Sequence, residues 1–408
     1  MSNPYLTARE AAAELNVSRA TLYAYVSRGM IRSEPVEGSR HRLYRADDVR
    51  AILARKTAEF GHKSGSETIV ATALTHDTPI LDSAITLIAD GELYYRGRDA
   101  TELTRSSSLE SVARLLWQCD DDPFASAAPD IGAFSSPLTG IARCQALLPL
   151  AAAQDLRAYT LETGNVARTG ADLLRLLCAG FTSKKPSIEP IHAQLSAHWA
   201  GPGQPGGNAA KLIRAALVLC ADHELNASTF TVRCVASTRA TPYGAVMAGP
   251  STLQGPRHGG QTARVAALFD EAANAESPLA AVAARLRRGE RLPGFGHTLY
   301  PDGDPRCKLL RRLLSATLGS NKALTMAEEL AAAASANTGL MPNVDFSLVM
   351  LQRSLDLPTI APMGIFAIGR CAGWIAHAQE QYVRPELIRP RARYIGEQPQ
   401  LAQTPLNA

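Results

Sequence analysis

The 408-residue sequence lacks the features that mark a membrane, exported or metal-binding protein. It has no uninterrupted apolar stretch of about eighteen residues or more, and its N-terminus, MSNPYLTARE, has no apolar signal core. The seven cysteines are scattered without CxxC or Cys/His ligand spacing, so neither structural zinc nor a disulfide framework is indicated. There is also no phosphate-binding loop and no nucleophile elbow. These absences favour a cytoplasmic protein with reduced thiols, no metal and no membrane partner.

Positive charge is concentrated at the start of the chain. Residues 1–56 hold ten of the 42 Lys and Arg and six of the 38 Asp and Glu, which leaves 32 of each sign for the rest. The whole formal net charge of +4 therefore lies in this segment. A local excess of basic side chains is expected of a surface that binds phosphate groups.

The first segment has the pattern of a small helix-turn-helix module. Thr7 and Glu10 are spaced as a capping box for one helix, and Ser18 is placed to cap a second helix that Gly29 ends. The following EGSRHRLYRADDVRAILARK predicts a basic hairpin and a third helix. With this order of elements, residues 5–56 resemble the winged helix-turn-helix of the MerR and excisionase families.

This resemblance implies a DNA-binding surface. In such a module the second helix enters the major groove and the wing approaches phosphates. The side chains placed there are Arg19, Thr21 and Tyr23 on the second helix and Arg40, Arg42 and Arg45 on the wing. The alternative is a helical appendage that makes only protein contacts. We interpret residues 1–56 as the module and residues 57–77, which start polar with Gly and Ser, as a linker.

From residue 78 onward the dominant pattern is helical. Segments such as ADLLRLLCAG and AAKLIRAALVLC place apolar residues three and four positions apart and are rich in Ala, Leu and Arg. Strand patterns are few and short. The body is therefore predicted to be mostly α.

Side chains suited to acid, base and anion-binding chemistry recur in four motifs of this body. They are ADHELNASTFTVR at 221–233, GPRHGGQ at 255–261, GFGHTLYPDGDPR at 294–306 and PNVDF at 342–346. Each motif contains Gly, Pro or Asn, as is typical of loops that hold functional groups on a rigid scaffold. A single His there is more often a satisfied helix residue, and a single Asp more often a helix cap. The set as a whole indicates an active site.

These motifs, in this order, resemble the citrate synthase family, including its 2-methylcitrate synthase members. PILDSAITLIADGELYYRGRD before them, and the arginines of FAIGRCAGW and RPRARY after them, are similar to the family as well. The resemblance implies a nearly all-α homodimer that condenses oxaloacetate with acetyl-CoA or another short acyl-CoA, without a permanently bound cofactor. It also implies a large domain of residues 78–261 and 366–408 and a small domain of residues 262–365.

The resemblance further implies a role for each of seven side chains. Asp345 corresponds to the base that removes a proton from the acyl group, and His258 to the group that hydrogen-bonds the thioester oxygen as the enol forms. His297 corresponds to the group that polarises and protonates the oxaloacetate carbonyl. The remaining four correspond to oxaloacetate ligands, with Arg389 implied to reach the partner subunit's site: His223, Arg306, Arg370 and Arg389.

The chemistry of these residue types agrees with those roles. A carboxylate in a dry site becomes a stronger base, and a donor aimed at the developing enolate lowers the barrier to proton removal. Planar guanidinium groups hold a dicarboxylate rigidly for attack. Three positions depart from the family pattern, namely Gln261 after HGG, Thr298 after GFGH and Ser347 after PNVDF.

Two functions stay open at this point. The first is an acyltransferase with an accessory module, and the second is a DNA-binding transcription regulator that senses oxaloacetate or acyl-CoA through a synthase-like body. Retention of all seven matched polar groups favours the enzyme, because a sensor needs no catalytic base. The module at the front favours the regulator. The choice between acetyl-CoA and propionyl-CoA is also open, because Thr298 and Ser347 alter positions expected near the CoA substrate.

Overall fold

The computed structural model divides the chain into two compact units, residues 1–82 and 83–408. The residues whose structure is described are 5–15, 22, 26, 31–35, 42–49, 81–132, 134–200, 207–392 and 394–397. The predicted linker lies outside the described residues. So do four of the predicted DNA contacts, which are Arg19, Thr21, Tyr23 and Arg40.

The first unit contains a three-stranded antiparallel sheet beside a short helix. The sheet has the order β1-β3-β2, with β1 at Tyr5–Thr7, β2 at Ser33–Pro35 and β3 at Arg42–Arg45, and α1 covers Ala8–Glu14. The predicted capping box is confirmed, since the Thr7 N–H donates to Glu10 Oε2 at 2.8 Å and the Glu10 N–H donates to Thr7 Oγ1 at 3.3 Å. A small apolar core includes Ala11, Leu15, Leu22, Ile31, Tyr44 and Val49.

The second unit begins with a small antiparallel sheet and is mainly helical in its described part. Its strands pair in chain order as β4 (Thr86–Ala89), β5 (Glu92–Tyr95) and β6 (Arg98–Asp99). The first helices are α2 (Ala100–Leu103), α3 (Leu109–Trp117), α4 (Gly140–Ala152), α5 (Thr163–Thr182), α6 (Ile191–Trp199) and α7 (Asn208–Leu219), with a 3-10 helix at Leu156–Tyr159. The later ones are α8 (Ala227–Ser237), α9 (Pro242–Leu253), α10 (Gln261–Asn274), α11 (Pro278–Arg287), α12 (Pro305–Leu318), α13 (Lys322–Thr338), α14 (Val344–Ser354) and α15 (Ala361–Tyr382).

Short polar side chains begin the helices that border the polar motifs. Asn226 accepts a hydrogen bond from a backbone N–H at the start of α8, Asp304 does so at the start of α12, and Asn343 at the start of α14. Each cap satisfies a backbone N–H that has no partner within its helix. The caps therefore fix where these helices start, and with them the positions of the motif residues.

The core of the second unit is built around α15, which is buried along almost its whole length. A helix that is apolar on all sides needs neighbours on all sides. Glycines let one neighbour approach closely: a Cβ at Gly369 would lie 2.7 Å from the Leu217 carbonyl oxygen, and the Gly373 N–H donates to the Ala221 carbonyl at 2.9 Å. This close approach places Arg370 against the segment that follows α7.

The prediction of a mostly α body is confirmed by this architecture. The predicted division of the body into residues 78–261 with 366–408 and residues 262–365 stays a prediction. Within the described part of the chain, no helix combines the length and apolar character needed to cross a bilayer.

Candidate active site

The loop that begins the GFGH motif is held against the segment leading into α14. The Gly296 N–H donates to the Met341 carbonyl at 2.8 Å, and the Asn343 N–H donates to the Gly294 carbonyl at 2.9 Å. Gly294 has a φ of +83°, and a Cβ there would come within 2.9 Å of Val265 Cγ2. Only glycine meets both conditions without strain. The loop is therefore fixed beside the N-terminus of α14.

Two histidines and a tyrosine meet at this loop. The ring centroids of His223 and His297 are 5.2 Å apart, and those of His297 and Tyr300 are 4.8 Å apart. The Leu299 N–H donates to His297 Nδ1 at 3.2 Å. A neutral imidazole has one acceptor and one donor nitrogen, so in its neutral form His297 carries its proton on Nε2. Burial, with Arg306 second, holds the pKa of His223 well below its usual value, so the His223 ring is neutral.

Arg306 is buried and firmly held by Asp304. Its Nε and Nη2 donate to the two carboxylate oxygens of Asp304 at 2.9 and 2.8 Å, and Asp304 also accepts from the Val344 N–H at 2.9 Å. Burial favours the neutral form of Asp304, but the Arg306 charge outweighs it and holds the pKa of Asp304 below its usual range. Asp304 thus ties the start of α12 to the start of α14.

Arg370 presents a buried guanidinium that is only partly satisfied. Its Nε donates to the Cys220 carbonyl at 3.0 Å, whereas Nη2 is buried and has no hydrogen-bond partner among the described residues. The guanidinium carbon lies 4.9 Å from the ring centroid of Phe366. Burial lowers the pKa of Arg370, and Asp222 only partly offsets that effect. An unpaired buried donor costs about 1 to 3 kcal/mol, and a charged donor costs more. An anionic ligand that accepts a hydrogen bond from Nη2 would remove this cost.

Asp345 lies in the first turn of α14, where its backbone N–H donates to Asn343 Oδ1 at 3.1 Å. Its carboxylate Oδ1 is buried and lacks a hydrogen-bond partner within the described part of the chain. Burial raises the pKa of Asp345 to about 7, although the positive charges of Arg306 and Arg370 act in the opposite direction. A desolvated carboxylate with a pKa near neutrality is suited to general base catalysis.

His258 contacts α8 through a single hydroxyl group. Its Nε2 lies 2.8 Å from Ser228 Oγ, and the same oxygen accepts from Trp374 Nε1 at 3.2 Å. Burial, and next the Arg370 charge, lowers the pKa of His258 to about 4. His258 is therefore neutral at physiological pH and able to act as a hydrogen-bond donor without giving up its only proton readily.

The structure brings six of the seven predicted side chains into one neighbourhood. His223 and His297 are in ring contact, and the Tyr300 ring lies beside both of them and beside Arg306. The charges of Arg306 and Arg370 both act on Asp345, and Arg370 also acts on His258. Arg389 is different, since it is exposed in the segment after α15. Its predicted role across a subunit boundary stays a prediction.

Three residues that hold this site together have no role predicted from the sequence, namely Ser228, Tyr300 and Asp304. Ser228 and Tyr300 have partners 30 and 77 positions away in the chain, which no local pattern indicates. Asp304 had a usable signal, because an Asp directly before Pro at a helix start predicts an N-cap. Ser347, expected near the CoA substrate, is fully buried and donates to the Val344 carbonyl at 2.9 Å.

In the first unit, the described residues include two of the predicted DNA contacts. The antiparallel pairing of β2 with β3 confirms the predicted hairpin. Arg42 is exposed and donates to Ser33 Oγ and to the Ser33 carbonyl at 2.9 and 2.8 Å. The guanidinium of Arg45 lies 5.7 Å from the ring centroid of Tyr5. Both arginines thus lie on β3 with partners inside the sheet.

A buried carboxylate, three histidines and two buried arginines on a helical scaffold define an enzyme whose site is suited to acid-base chemistry on a small anion. Comparison with known families then specifies which enzyme class this is. The model of the citrate synthase C-terminal domain matches residues 179–391, and the chain belongs to the citrate synthase family. A helix-turn-helix domain model matches residues 5–57. The family resemblance, the helix-turn-helix module and the prediction of a citrate synthase-type enzyme are confirmed.

Individual relatives cover nearly the whole body. Citrate synthase 2 of Bacillus subtilis is 30% identical over 353 residues, which is 77% of this chain and 93% of that protein. 2-methylcitrate synthase 2 of Corynebacterium glutamicum is 29% identical, over 75% of this chain and 89% of that protein. The Thermoplasma acidophilum citrate synthase, solved with carboxymethyl coenzyme A and oxaloacetate, has a TM-score of 0.64 at 23% identity, over 81% of this chain and 97% of that one. The last likeness supports the fold.

Proposed function

We propose that this enzyme condenses oxaloacetate with acetyl-CoA or another short acyl-CoA, giving citrate or 2-methylcitrate and free CoA. The observation that carries the proposal is a pair of buried groups without hydrogen-bond partners among the described residues, a carboxylate oxygen of Asp345 and a guanidinium nitrogen of Arg370. Within that part of the chain, the first is an acceptor without a donor and the second is a donor without an acceptor. A substrate pair that brings both an acidic C–H and a carboxylate satisfies both groups.

Oxaloacetate occupies the region between the histidines and the buried arginines in this proposal. Arg370 offers its unpartnered Nη2 to one carboxylate, and Arg306 adds a second positive charge held rigidly by Asp304. His223 is a further ligand. Fixed guanidinium groups bind a small dicarboxylate in one orientation, which supplies much of the rate of a two-substrate reaction.

Asp345 removes a proton from the α-carbon of the acyl-CoA, and negative charge develops on the thioester oxygen. His258 donates a hydrogen bond to that oxygen. The donor in this step is Nδ1–H, so Nε2 accepts from the Ser228 hydroxyl 2.8 Å away. In the free structure the single hydrogen of that hydroxyl donates to Asn226 Oδ1 at 2.8 Å. The proposed step therefore requires this hydrogen to turn from Asn226 to His258.

His297 acts on the other substrate. Its Nε2–H polarises the ketone of oxaloacetate, the enol carbon attacks the ketone carbon, and the resulting alkoxide takes the proton. Water then cleaves the thioester, which leaves a carboxylic acid and CoA with a free thiol. No step requires a metal or a redox cofactor. In a homodimer, Arg389 of the partner subunit adds a third guanidinium to the oxaloacetate site.

The test is release of free CoA by the purified full-length protein. Oxaloacetate mixed with acetyl-CoA or propionyl-CoA should yield thiol, detected with a thiol reagent, and the ratio of the two rates should define the acyl preference. Each substrate alone is the control for simple thioester hydrolysis. Absence of thiol release with both acyl-CoA substrates would contradict the proposal.

We propose as a second candidate that the protein also binds DNA, as a regulator that senses oxaloacetate or acyl-CoA through its body. The match of residues 5–57 to a helix-turn-helix domain and the net charge of +4 in residues 1–56 favour it. The test is retardation of DNA from the protein's own upstream region at low salt, with and without each ligand. A protein that leaves this DNA unbound under all conditions would exclude the regulator.

A further inference from the structure

Tyr300 lies at the centre of the proposed oxaloacetate site without a role in the mechanism above. It is 2% exposed, and its hydroxyl is 3.0 Å from Nε2 of His223. Its ring centroid is 4.8 Å from that of His297 and 5.7 Å from the guanidinium carbon of Arg306. One side chain therefore contacts three of the residues proposed to bind oxaloacetate.

The hydrogen between Tyr300 and His223 belongs to the tyrosine. Burial, the largest effect, raises the pKa of Tyr300, so its hydroxyl remains a donor. Among the described residues His223 Nε2 is the acceptor that the structure gives this hydroxyl. If Nε2 were the donor instead, a buried hydroxyl hydrogen would be left without an acceptor. The free enzyme therefore has neutral His223 accepting from Tyr300.

A substrate carboxylate at Arg306 has more acceptor sites than that arginine has free donors. Nε and one hydrogen of Nη2 already donate to Asp304, which leaves three of the five N–H hydrogens, two on Nη1 and one on Nη2. A carboxylate has about four lone-pair sites. One further donor beside Arg306 is therefore accommodated, and the Tyr300 hydroxyl is on the residue that packs against it.

We propose that Tyr300 is a further oxaloacetate-binding residue, whose hydroxyl donates to His223 in the free enzyme and turns to a substrate carboxylate in the complex. The proposal rests on the proposed function. When the hydroxyl turns away, Nε2 of His223 loses its donor, and beside an incoming dianion it takes up a proton from solution. Arg306, Arg370 and His297 act on His223 as positive neighbours, whereas the carboxylates of Asp304 and Glu224 act on Tyr300, and a bound dianion offsets the positive group.

The experiment compares Tyr300→Phe with Tyr243→Phe, which is a matched loss of a buried tyrosine hydroxyl. The Tyr243 hydroxyl bonds Asp155 Oδ2 at 3.2 Å, an interaction outside the proposed site. We expect Tyr300→Phe to raise the KM and the calorimetric Kd for oxaloacetate by roughly tenfold to a hundredfold, as for loss of a hydrogen bond to a charged group. The KM for acyl-CoA should stay within about twofold, and Tyr243→Phe should leave all three constants unchanged.

Calorimetry in two buffers of different ionisation enthalpy measures the protons taken up when oxaloacetate binds. Wild type and Tyr300→Phe should both take up protons near pH 7, because His223 has no tyrosine donor in either complex, and absence of uptake by wild type would contradict the protonation of His223. Unchanged oxaloacetate affinity in a folded Tyr300→Phe variant, or equal weakening in the Tyr243→Phe control, would overturn the proposal. Failure of the proposed function is distinguishable from failure of the Tyr300 proposal, because in the former case the wild type releases no CoA.

Discussion

The candidate active site and the sheet of the first unit hold arginines in different environments. In the body, Arg306 and Arg370 are 2% and 1% exposed, and one of them has a guanidinium nitrogen without a partner among the described residues. In the first unit, Arg42 is exposed and bonded to Ser33 within the same sheet. Burying an unpaired cation costs several kcal/mol, whereas an exposed one costs little. The buried Arg370 therefore indicates an anionic ligand, while Arg42 is compatible with folding alone.

The largest expected effect comes from removing the two groups that act on the acyl-CoA. Asp345→Asn and His258→Ala should each lower kcat by roughly a hundredfold to a thousandfold, as for loss of a preorganised catalytic group of about 3 to 4 kcal/mol. Calorimetry should show that oxaloacetate still binds, because Arg306 and Arg370 are intact. Asp302→Asn, a change at an exposed position of the GFGH loop region, is the control and should be as active as wild type. Normal turnover in either active-site variant would mean that its role is misassigned.

Of the four proposed oxaloacetate ligands, Arg389 is the exposed one, as Arg42 of the first unit is. If it acts in the partner subunit's site, an Asp345→Asn chain mixed with an Arg389→Ala chain should regain activity in the hybrid dimer. One of the two hybrid sites then contains both intact groups, so up to about half of wild-type activity is expected by that count. Verified heterodimers without recovery would place Arg389 outside the partner's site.

The buried carboxylate predicts a pH dependence of the rate. Asp345 acts as a base only when deprotonated, and burial raises its pKa to about 7. The kcat/KM for acyl-CoA should therefore fall as pH drops below about 7, approaching tenfold per unit. A flat profile down to about pH 5.5 would contradict the role of this carboxyl.

The raised pKa of Asp345 also makes the stability of the protein depend on pH. The unfolded carboxyl has a pKa of about 3.9, so between about pH 4 and pH 7 the folded state binds more protons than the unfolded state. The free energy of unfolding then decreases as pH rises through this window. Asp345→Asn cannot ionise, so it should have a higher Tm than wild type at about pH 8 and a similar Tm at about pH 4, measured by scanning calorimetry.

The features of the fold that were predictable from the sequence are those encoded in local patterns. Apolar spacing predicted the helices, and the Thr7 and Glu10 pair predicted a cap that is confirmed by its hydrogen bonds. Motifs placed His223, His258 and Asp345 in a candidate site, because residues beside Gly, Pro and Asn are frequently functional. These predictions depend on neighbours within a few positions of the chain.

The energetics of the site were not predictable in this way. The raised pKa of Asp345 depends on burial, and burial is a property of the packed fold. The pairing of Arg306 with Asp304, which limits the donors left for a ligand, depends on the geometry of one helix start. Tyr300 gained its significance only when the fold brought His223 beside it from 77 positions away.

The smallest expected effect on catalysis comes from removing the N-terminal module, because none of the seven matched groups lies within residues 1–82. Deleting residues 1–56 should leave CoA release within about twofold of the full-length value. If the unit binds DNA, a dimeric body presents two copies, and the preferred target is a two-fold symmetric site with half-sites separated by whole helical turns. Loss of CoA release on deletion would instead make the unit part of the enzyme.

Salt dependence separates DNA binding by this unit from a structural role for its arginines. An arginine that neutralises one phosphate contributes about 0.9 to the slope of log K against log salt, so its removal should reduce the slope by that amount. Arg42→Gln and Arg45→Gln should each show that reduction on all DNA sequences, whereas Arg98→Gln, at an exposed strand position of the body, should not. Substituting Arg19 or Thr21 should instead reduce preference among sequences, because base contacts specify and phosphate contacts position. If Arg42→Gln and Arg45→Gln lower Tm but leave the salt slope unchanged, the bonds from Arg42 to Ser33 and the packing of Arg45 on Tyr5 account for these arginines, and the unit has no phosphate-binding wing.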